Sequence, residues 1–137
     1  MTDDETRQVN LSLMERYQAL LLEHRFDEWI ELWAEDGICE FPFARPERPR
    51  LLQGKAAILS YMTAYPSWFT VEGVDELRVH QGLDPSVVIV EMKIKAHAVE
   101  TGKRYDQQFV IVAEAREGKL SHYREYSNPL VSAEALP

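Results

Sequence analysis

The residues with the clearest capacity for chemistry lie in the segment Glu117–Leu130, which reads EGKLSHYREYSNPL. Its side chains alternate with the period of two of a strand, which puts Tyr123, Glu125 and Ser127 on one side and Leu120, His122, Arg124 and Tyr126 on the other. One carboxylate therefore shares a face with a tyrosine. If that face lines an apolar cavity, desolvation disfavours the ionised carboxylate and raises its pKa toward neutrality, where it can both give and take a proton. Tyr17, Tyr61, Asp106 and Gln108 are the candidate hydrogen-bonding neighbours in an aromatic-walled pocket. The competing arrangement is a solvent-facing Glu125, ion-paired to Arg124 of a second copy or to another surface cation.

Other chemistries find little support in the pattern. His24, His80, His97 and His122 are scattered, with no HxxxH or CxxC spacing and no glycine-rich phosphate loop, so neither a metal nor a cofactor is expected. No serine sits in a nucleophile elbow, and the lone Cys39, in a strand, reads as a small core residue. Acid–base chemistry without a cofactor remains.

The elements that must position these groups follow from periodicity. Asn10, Leu13, Met14, Tyr17, Leu20, Leu21 and His24 recur at helical spacing and predict a helix over 4–24, capped by Thr2 or Asp3. A second, short helix is expected with Asp27 as cap, Phe26, Trp29, Ile30 and Trp33 as its apolar side, and Gly37 at its end. Residues 37–43 read as a strand, Ala44–Arg50 as an exposed hairpin connection or a cavity rim, and Leu51–Gln53 as a short strand. Gly54 opens a third helix whose inward side is Ala57, Ile58, Tyr61, Met62 and Tyr65, and which Pro66 stops. Strands are expected at about 74–83, 87–100, 104–116 and 119–128, joined by turns at Asp84-Pro85-Ser86, Thr101-Gly102 and Glu117-Gly118. Three helices before an antiparallel meander define an α+β domain whose sheet curls around the helices.

The face that Glu125 occupies depends on register. In the 87–100 strand the even positions Val88, Val90, Met92, Ile94, Ala96 and Ala98 are apolar and must be covered. A two-residue turn at Thr101-Gly102 would set Glu125 on the side of Lys93, Lys95 and His97. A three-residue turn or a bulge would set it beside Ile94, Ala96, Val110 and Val112, the preferred arrangement.

Composition bounds the rest. The chain of 137 residues suits a single domain spanning 1–137, with 45% hydrophobic and 28% charged residues and no low-complexity linker. A net charge of -8 and a pI near 5.0 disfavour nucleic acid as a partner. A single cysteine allows no internal disulfide, the Asp3-Asp4-Glu5 start does not read as a signal peptide, and no apolar run approaches membrane-spanning length. A cytoplasmic protein without membrane contact is the expectation.

The order of elements, the run FDEWIELWAEDG at 26–37, the Gln53-Gly54-Lys-Ala-Ala-Ile opening of the third helix and the REYSNP ending resemble the nuclear transport factor 2-like superfamily, in its SnoaL-like branch. That resemblance implies a cone in which three N-terminal helices cover the concave side of a curved, mainly antiparallel sheet and enclose a pocket, with the outer sheet face available for a homodimer. The second half is most similar to the phenazine biosynthesis A/B proteins, through Pro66-Ser67-Trp68, Asp84-Pro85 and Arg124-Glu125-Tyr126-Ser127-Asn128-Pro129. In those proteins the matching glutamate is the active-site acid/base, and limonene epoxide hydrolases also carry a catalytic carboxylate at this point of the last strand. The chain departs from its relatives too. Tyr61 stands nearest the third-helix histidine of the phenazine proteins, and the Arg-x-Asp pair of the epoxide hydrolases has only Lys95 and His97 near its place. Tyr17 matches the oxyanion-hole tyrosine of ketosteroid isomerases, but Phe41 stands at their general-base aspartate and Val110 near their second acid.

Together these features predict a cofactor-independent isomerase, cyclase or condensing enzyme for a small, largely apolar carbonyl metabolite. Glu125, Tyr17 and Tyr61 would be its catalytic residues, and Trp33, Phe41, Phe43, Tyr65, Trp68, Gln108, Val110 and Tyr123 would form its substrate pocket. A homodimer would use Lys93, His97, Phe109, Ile111, His122 and Tyr126 on the outer face. The alternative is a non-catalytic small-ligand-binding or dimerisation module of the same fold.

Overall fold

The computed structural model describes all residues, Met1–Pro137. Helix α1 spans Asp3–Leu22, and the Thr2 hydroxyl caps it by accepting from the Glu5 N–H at 3.1 Å. Helix α2 is a single turn, Phe26–Trp29, continued by a 3-10 turn over Ile30–Leu32, and Arg25, not Asp27, occupies its cap position. Strand β1 then runs Trp33–Glu40, earlier than expected. Gly37 therefore lies inside a strand and ends no helix. A Cβ there would sit 2.9 Å from the Trp33 ring and 3.0 Å from the Ala34 carbonyl oxygen, so glycine is required where β1 passes over the buried indole.

Strand β2 is Leu51–Gln53 and helix α3 is Lys55–Ala64. Gly54 joins them at φ +84°, a conformation open to glycine, while its N–H donates to the Gly37 carbonyl at 2.7 Å. Beyond a 3-10 turn at Tyr65–Ser67 come β3 (Phe69–Gln81), β4 (Val87–Ala98), β5 (Gln108–Arg116) and β6 (Lys119–Ser127). A short helix α4, Pro129–Ala135, closes the chain. It was not expected from the sequence, although Asn128 caps it and Pro129 starts it in the usual way.

The six strands form one sheet in the order β2-β1-β6-β5-β4-β3. All neighbours are antiparallel except β1 and β6. Two register shifts in β3, between Val71 and Gly73 and between Val74 and Glu76, bend the sheet around the helices. The concave face carries the expected Val88, Val90, Ile94, Ala96 and Ala98. At its centre an aromatic cluster joins Tyr17 to Trp29, Trp33 and Tyr123 with centroids 5.4, 6.3 and 5.2 Å away.

The route by which Glu125 reaches this face differs from both sequence alternatives. The connection from β4 to β5 is a four-residue turn, Val99–Gly102, in which the Ala98 N–H bonds to the Lys103 carbonyl at 2.9 Å. Four residues keep the parity of a two-residue turn, so Val90 pairs with Ile111 and Met92 with Phe109. Phe109, Ile111 and Ala113 consequently face inward, whereas Gln108, Val110 and Val112 face outward. The next hairpin then carries the missing bulge: Ala115 pairs with Leu120 but Glu114 with His122, leaving Ser121 unpaired. Its hydroxyl donates to the Glu114 carbonyl at 3.1 Å. Leu120, Tyr123 and Glu125 thereby come to share the inner face, although strict alternation separates Leu120 from the other two. Phe109 and Ile111 are thus core residues and not part of an outer-face interface.

Candidate active site

Between the helices and the concave sheet lies a cavity of about 290 Å³. Of the residues expected to form the site, Glu125, Tyr17, Tyr61, Phe41, Phe43, Tyr65, Trp68 and Tyr123 all line it. Three others do not. Trp33 is 1% exposed and stands behind the wall, packed on Tyr17 and Tyr123. Gln108 and Val110 project from the outer face, as the parity of β5 demands. Asp106 is exposed as well, paired with Arg104 at 2.6 Å and far from the role of neighbour to Glu125.

Glu125 is carried by β6, opposite Ile111. The Tyr123 hydroxyl, two residues earlier on the same face, donates to its Oε1 at 3.0 Å. Burial in this apolar setting pushes the Glu125 carboxyl up to about 7, and the Tyr123 hydrogen bond opposes that rise. The Tyr17 hydroxyl lies beside that of Tyr123, so two buried hydroxyls stand in line behind the carboxylate. Burial raises the pKa of both phenols well above the ordinary tyrosine value, with the Glu125 charge adding to the effect, so both remain protonated donors.

Removing the Tyr123 hydroxyl should therefore leave desolvation unopposed. In Tyr123→Phe the Glu125 pKa is expected to move further above about 7, by roughly one unit, the size of one hydrogen bond to a charged group. Carbon-detected NMR of the Glu125 carboxyl would register the change, and an unchanged or lowered value would show that the hydroxyl does not stabilise the carboxylate.

The opposite wall is supplied by α3 and the turn after it. Phe41 packs on Tyr61, Tyr61 on Trp68, and Tyr65 on Phe69, with centroids 5.1, 5.3 and 5.3 Å apart. Phe69 stacks on Tyr105 at 3.8 Å. Tyr61 and Tyr65 line the cavity, and no hydrogen bond of the fold holds their hydroxyls, whereas Gln107 and Ser132 lie against the hydroxyl of Tyr105 and oppose the rise that burial causes there. Burial raises Tyr61 and Tyr65 as well, keeping both hydroxyls protonated and available as donors.

Several lining residues were not anticipated. Arg45 and Arg48 show that the Ala44–Arg50 segment is a cavity rim and more than an exposed connection. Its prolines and arginines were legible, but their direction was not. Cys39, Tyr105 and Ser132 also contribute, the last from the unexpected α4. Gln107, fully buried, ties that helix down: its side-chain oxygen accepts from the Asn128 N–H and its amide donates to the Asn128 carbonyl, each at 2.9 Å. No group of three or more His, Cys, Asp or Glu side chains is arranged to hold a metal ion, and no helix is long and apolar enough to cross a membrane.

A cone of helices on a curved sheet, with one protonatable carboxylate at the floor of an aromatic cavity, defines a recognisable class of small α+β proteins. The family profile of the SnoaL-like domain matches residues 14–123, and the chain belongs to this family, within the nuclear transport factor 2-like fold. It is 37% identical over 123 residues to the uncharacterized protein YesE of Bacillus subtilis, covering 90% of this chain and 84% of that one. An uncharacterized PhzA/B-like protein of Pseudomonas aeruginosa is 31% identical over 108 residues, 79% of this chain and 76% of its own. Among solved structures, one from Bacillus subtilis named "Putative Isomerase" superposes with a TM-score of 0.87 at 35% identity, over 98% of this chain and 95% of that chain. A phenazine biosynthesis-related protein from Pseudomonas aeruginosa shares the fold, with a TM-score of 0.78 at 20% identity over 98% of this chain and 88% of its own.

Proposed function

We propose that this chain is a cofactor-independent acid–base catalyst for a small, largely apolar carbonyl compound, acting by isomerisation, cyclisation or condensation. The observation that carries the reading is the pairing of Glu125, held at about 7, with protonated hydroxyls across one apolar cavity. A base of that pKa is half-ionised near neutral pH and can both abstract and return a proton. Glu125 removes a proton from the carbon beside the substrate carbonyl. The electron pair moves to the carbonyl oxygen, where the free Tyr61 hydroxyl, with Tyr65 near it, donates to the developing oxyanion. Glu125 then delivers the proton to a different carbon, or the enolate carbon attacks a second carbonyl, whose π electrons move to its oxygen, and that oxygen takes the proton from Glu125. Tyr123 orients the carboxylate and Tyr17 supports Tyr123 from behind. The names given to the related proteins, an isomerase and PhzA/B-like, agree with this class of chemistry.

A general probe tests it without the natural substrate. 5-Nitrobenzisoxazole opens when a base removes the proton on carbon 3 of its isoxazole ring: the C–H electron pair forms the nitrile, the N–O bond breaks, and the oxygen becomes the coloured phenolate of the same molecule. The protein is expected to accelerate this opening with a rate that rises through about pH 7, the Glu125 value, and then levels. Tight binding of the probe with no acceleration would favour a ligand-binding module instead.

We also infer that the outer sheet face mediates self-association. Ile89, Val110, Val112 and Tyr126 form an apolar strip there, flanked by the Glu76–Lys93 and His80–Glu91 pairs. Sedimentation velocity is expected to give a dimer that Val110→Glu dissociates. A monomer at high concentration would overturn the inference.

A further inference from the structure

The mouth of the cavity holds a cation without a counter-charge. Arg48 lines the cavity with its guanidinium carbon 4.2 Å from the centre of the Trp68 ring. It enters no ion pair in the molecule, whereas its neighbour Arg45 is held by Glu47 at 2.9 Å. The backbone fixes its place. The Arg48 N–H donates to the Arg45 carbonyl and the Phe41 N–H to the Arg50 carbonyl, each at 2.9 Å, while Pro46 and Pro49 restrict the turn from both sides. Trp68 is itself braced by Tyr61, 5.3 Å away. A guanidinium held over an aromatic face is already oriented, and its fork of donors matches the two oxygens of a carboxylate. Its charge also reaches into the cavity, where it works against the upward push of burial on the Tyr61 and Tyr105 hydroxyls.

We propose that Arg48 is the anion-binding subsite of this cavity, and that the ligand is a small apolar ring bearing one carboxylate. The carboxylate sits on Arg48 at the mouth, the ring lies among the aromatic side chains, and the reacting carbon points toward Glu125. A single carboxylate fits better than a phosphate ester. The chain carries a net charge of -8 and places Glu125 in the same cavity, so one arginine would have to offset more repulsion for a dianion. The cavity of about 290 Å³ suits one or two rings. This inference rests on the reading of the cavity as a ligand site and adds the substrate class.

Calorimetric titration at low ionic strength with naphthalene-2-carboxylate, the neutral naphthalene-2-carboxamide and 2-naphthyl phosphate tests it. The carboxylate is expected to bind at least tenfold more tightly than the carboxamide, and more tightly than the phosphate ester. In Arg48→Met, which keeps the stem over Trp68 but removes the charge, both compounds should still bind, and carboxylate and carboxamide should lie within about twofold of one another. Equal binding of acid and amide to the unaltered protein would overturn the anion subsite while leaving the cavity as a ligand site. A preference that survives in Arg48→Met would remove Arg48 from the role, and tighter binding of the phosphate ester would overturn the carboxylate. Failure of all three compounds to bind would overturn the cavity reading together with the subsite.

Discussion

Glu125→Gln is expected to lower the rate of 5-nitrobenzisoxazole opening by roughly 10²- to 10⁴-fold, the range that a positioned general base contributes. The substitution is nearly isosteric, and the amide oxygen of glutamine can still accept from the Tyr123 hydroxyl that now reaches Oε1 at 3.0 Å. Cavity shape and probe affinity should therefore survive, and the loss should fall on turnover. The pH profile supplies a second readout. The rise through about 7 belongs to Glu125, so the residual rate of the variant should be flat across that range. A variant that retains the rate, or retains the inflection, would remove Glu125 from catalysis. Cys39 and the cavity tyrosines Tyr17, Tyr61, Tyr65, Tyr105 and Tyr123 have thiol and phenol groups raised by burial and would titrate above this window.

How much of this was legible in the sequence depended on whether the information was local. Periodicity and capping are local, so α1, α3 and the succession of strands along the chain could be read directly, as could the even face of β4, whereas the parallel pairing of β1 with β6 could not. The cluster of aromatic residues was legible as a set for the same reason. Parity across a sheet is not local, because it accumulates every turn length and bulge between two positions. The sequence showed Thr101-Gly102 as a turn, but not that it takes four residues, and nothing marked Ser121 as the residue that slips out of register in the β5–β6 hairpin. Those two features have compensating consequences for Glu125, which reached the cavity as preferred, and no such compensation for Val110 and Gln108, which were carried outside with the whole alternate face of β5. Trp33 was missed differently. Its burial was foreseen, but a large side chain can be buried either on a cavity wall or behind one, and only packing against Tyr17 and Tyr123 decides between them. Arg48 was invisible as a site residue because a loop arginine is exposed unless something draws it inward, and the Trp68 ring that does so lies twenty residues further along the chain.

The same carboxyl that serves chemistry should weaken the fold, and the sign of its effect on stability follows from its titration. The Glu125 pKa stands at about 7 in the folded protein against 4.5 for a free glutamate. Below pH 4.5 both folded and unfolded chains are protonated there and the group makes no difference. As pH rises from 4.5, the unfolded chain releases its proton first, so stability falls until the folded protein also ionises near pH 7 and then stays low. The interval of roughly 2.5 pH units corresponds to a loss of about 3 kcal/mol at 1.36 kcal/mol per unit. Surface carboxylates act in the opposite sense. Asp36, Glu72, Asp84 and Asp106 are held below their ordinary values by hydrogen bonds from Arg116, His97, Ser86 and Arg104 respectively, so they favour the folded state above pH 4 and lose that contribution as pH falls. Comparing the protein with Glu125→Gln at each pH cancels those shared contributions. The variant is expected to melt at nearly the same temperature as the parent at about pH 4.5 and on the order of 10 °C higher at pH 8, as read by calorimetry. A variant less stable than the parent at pH 8 would mean that the ionised carboxylate is well solvated or paired in the folded protein. Glu125 would then be ordinary, and its proton would not be available near neutral pH for the reaction proposed.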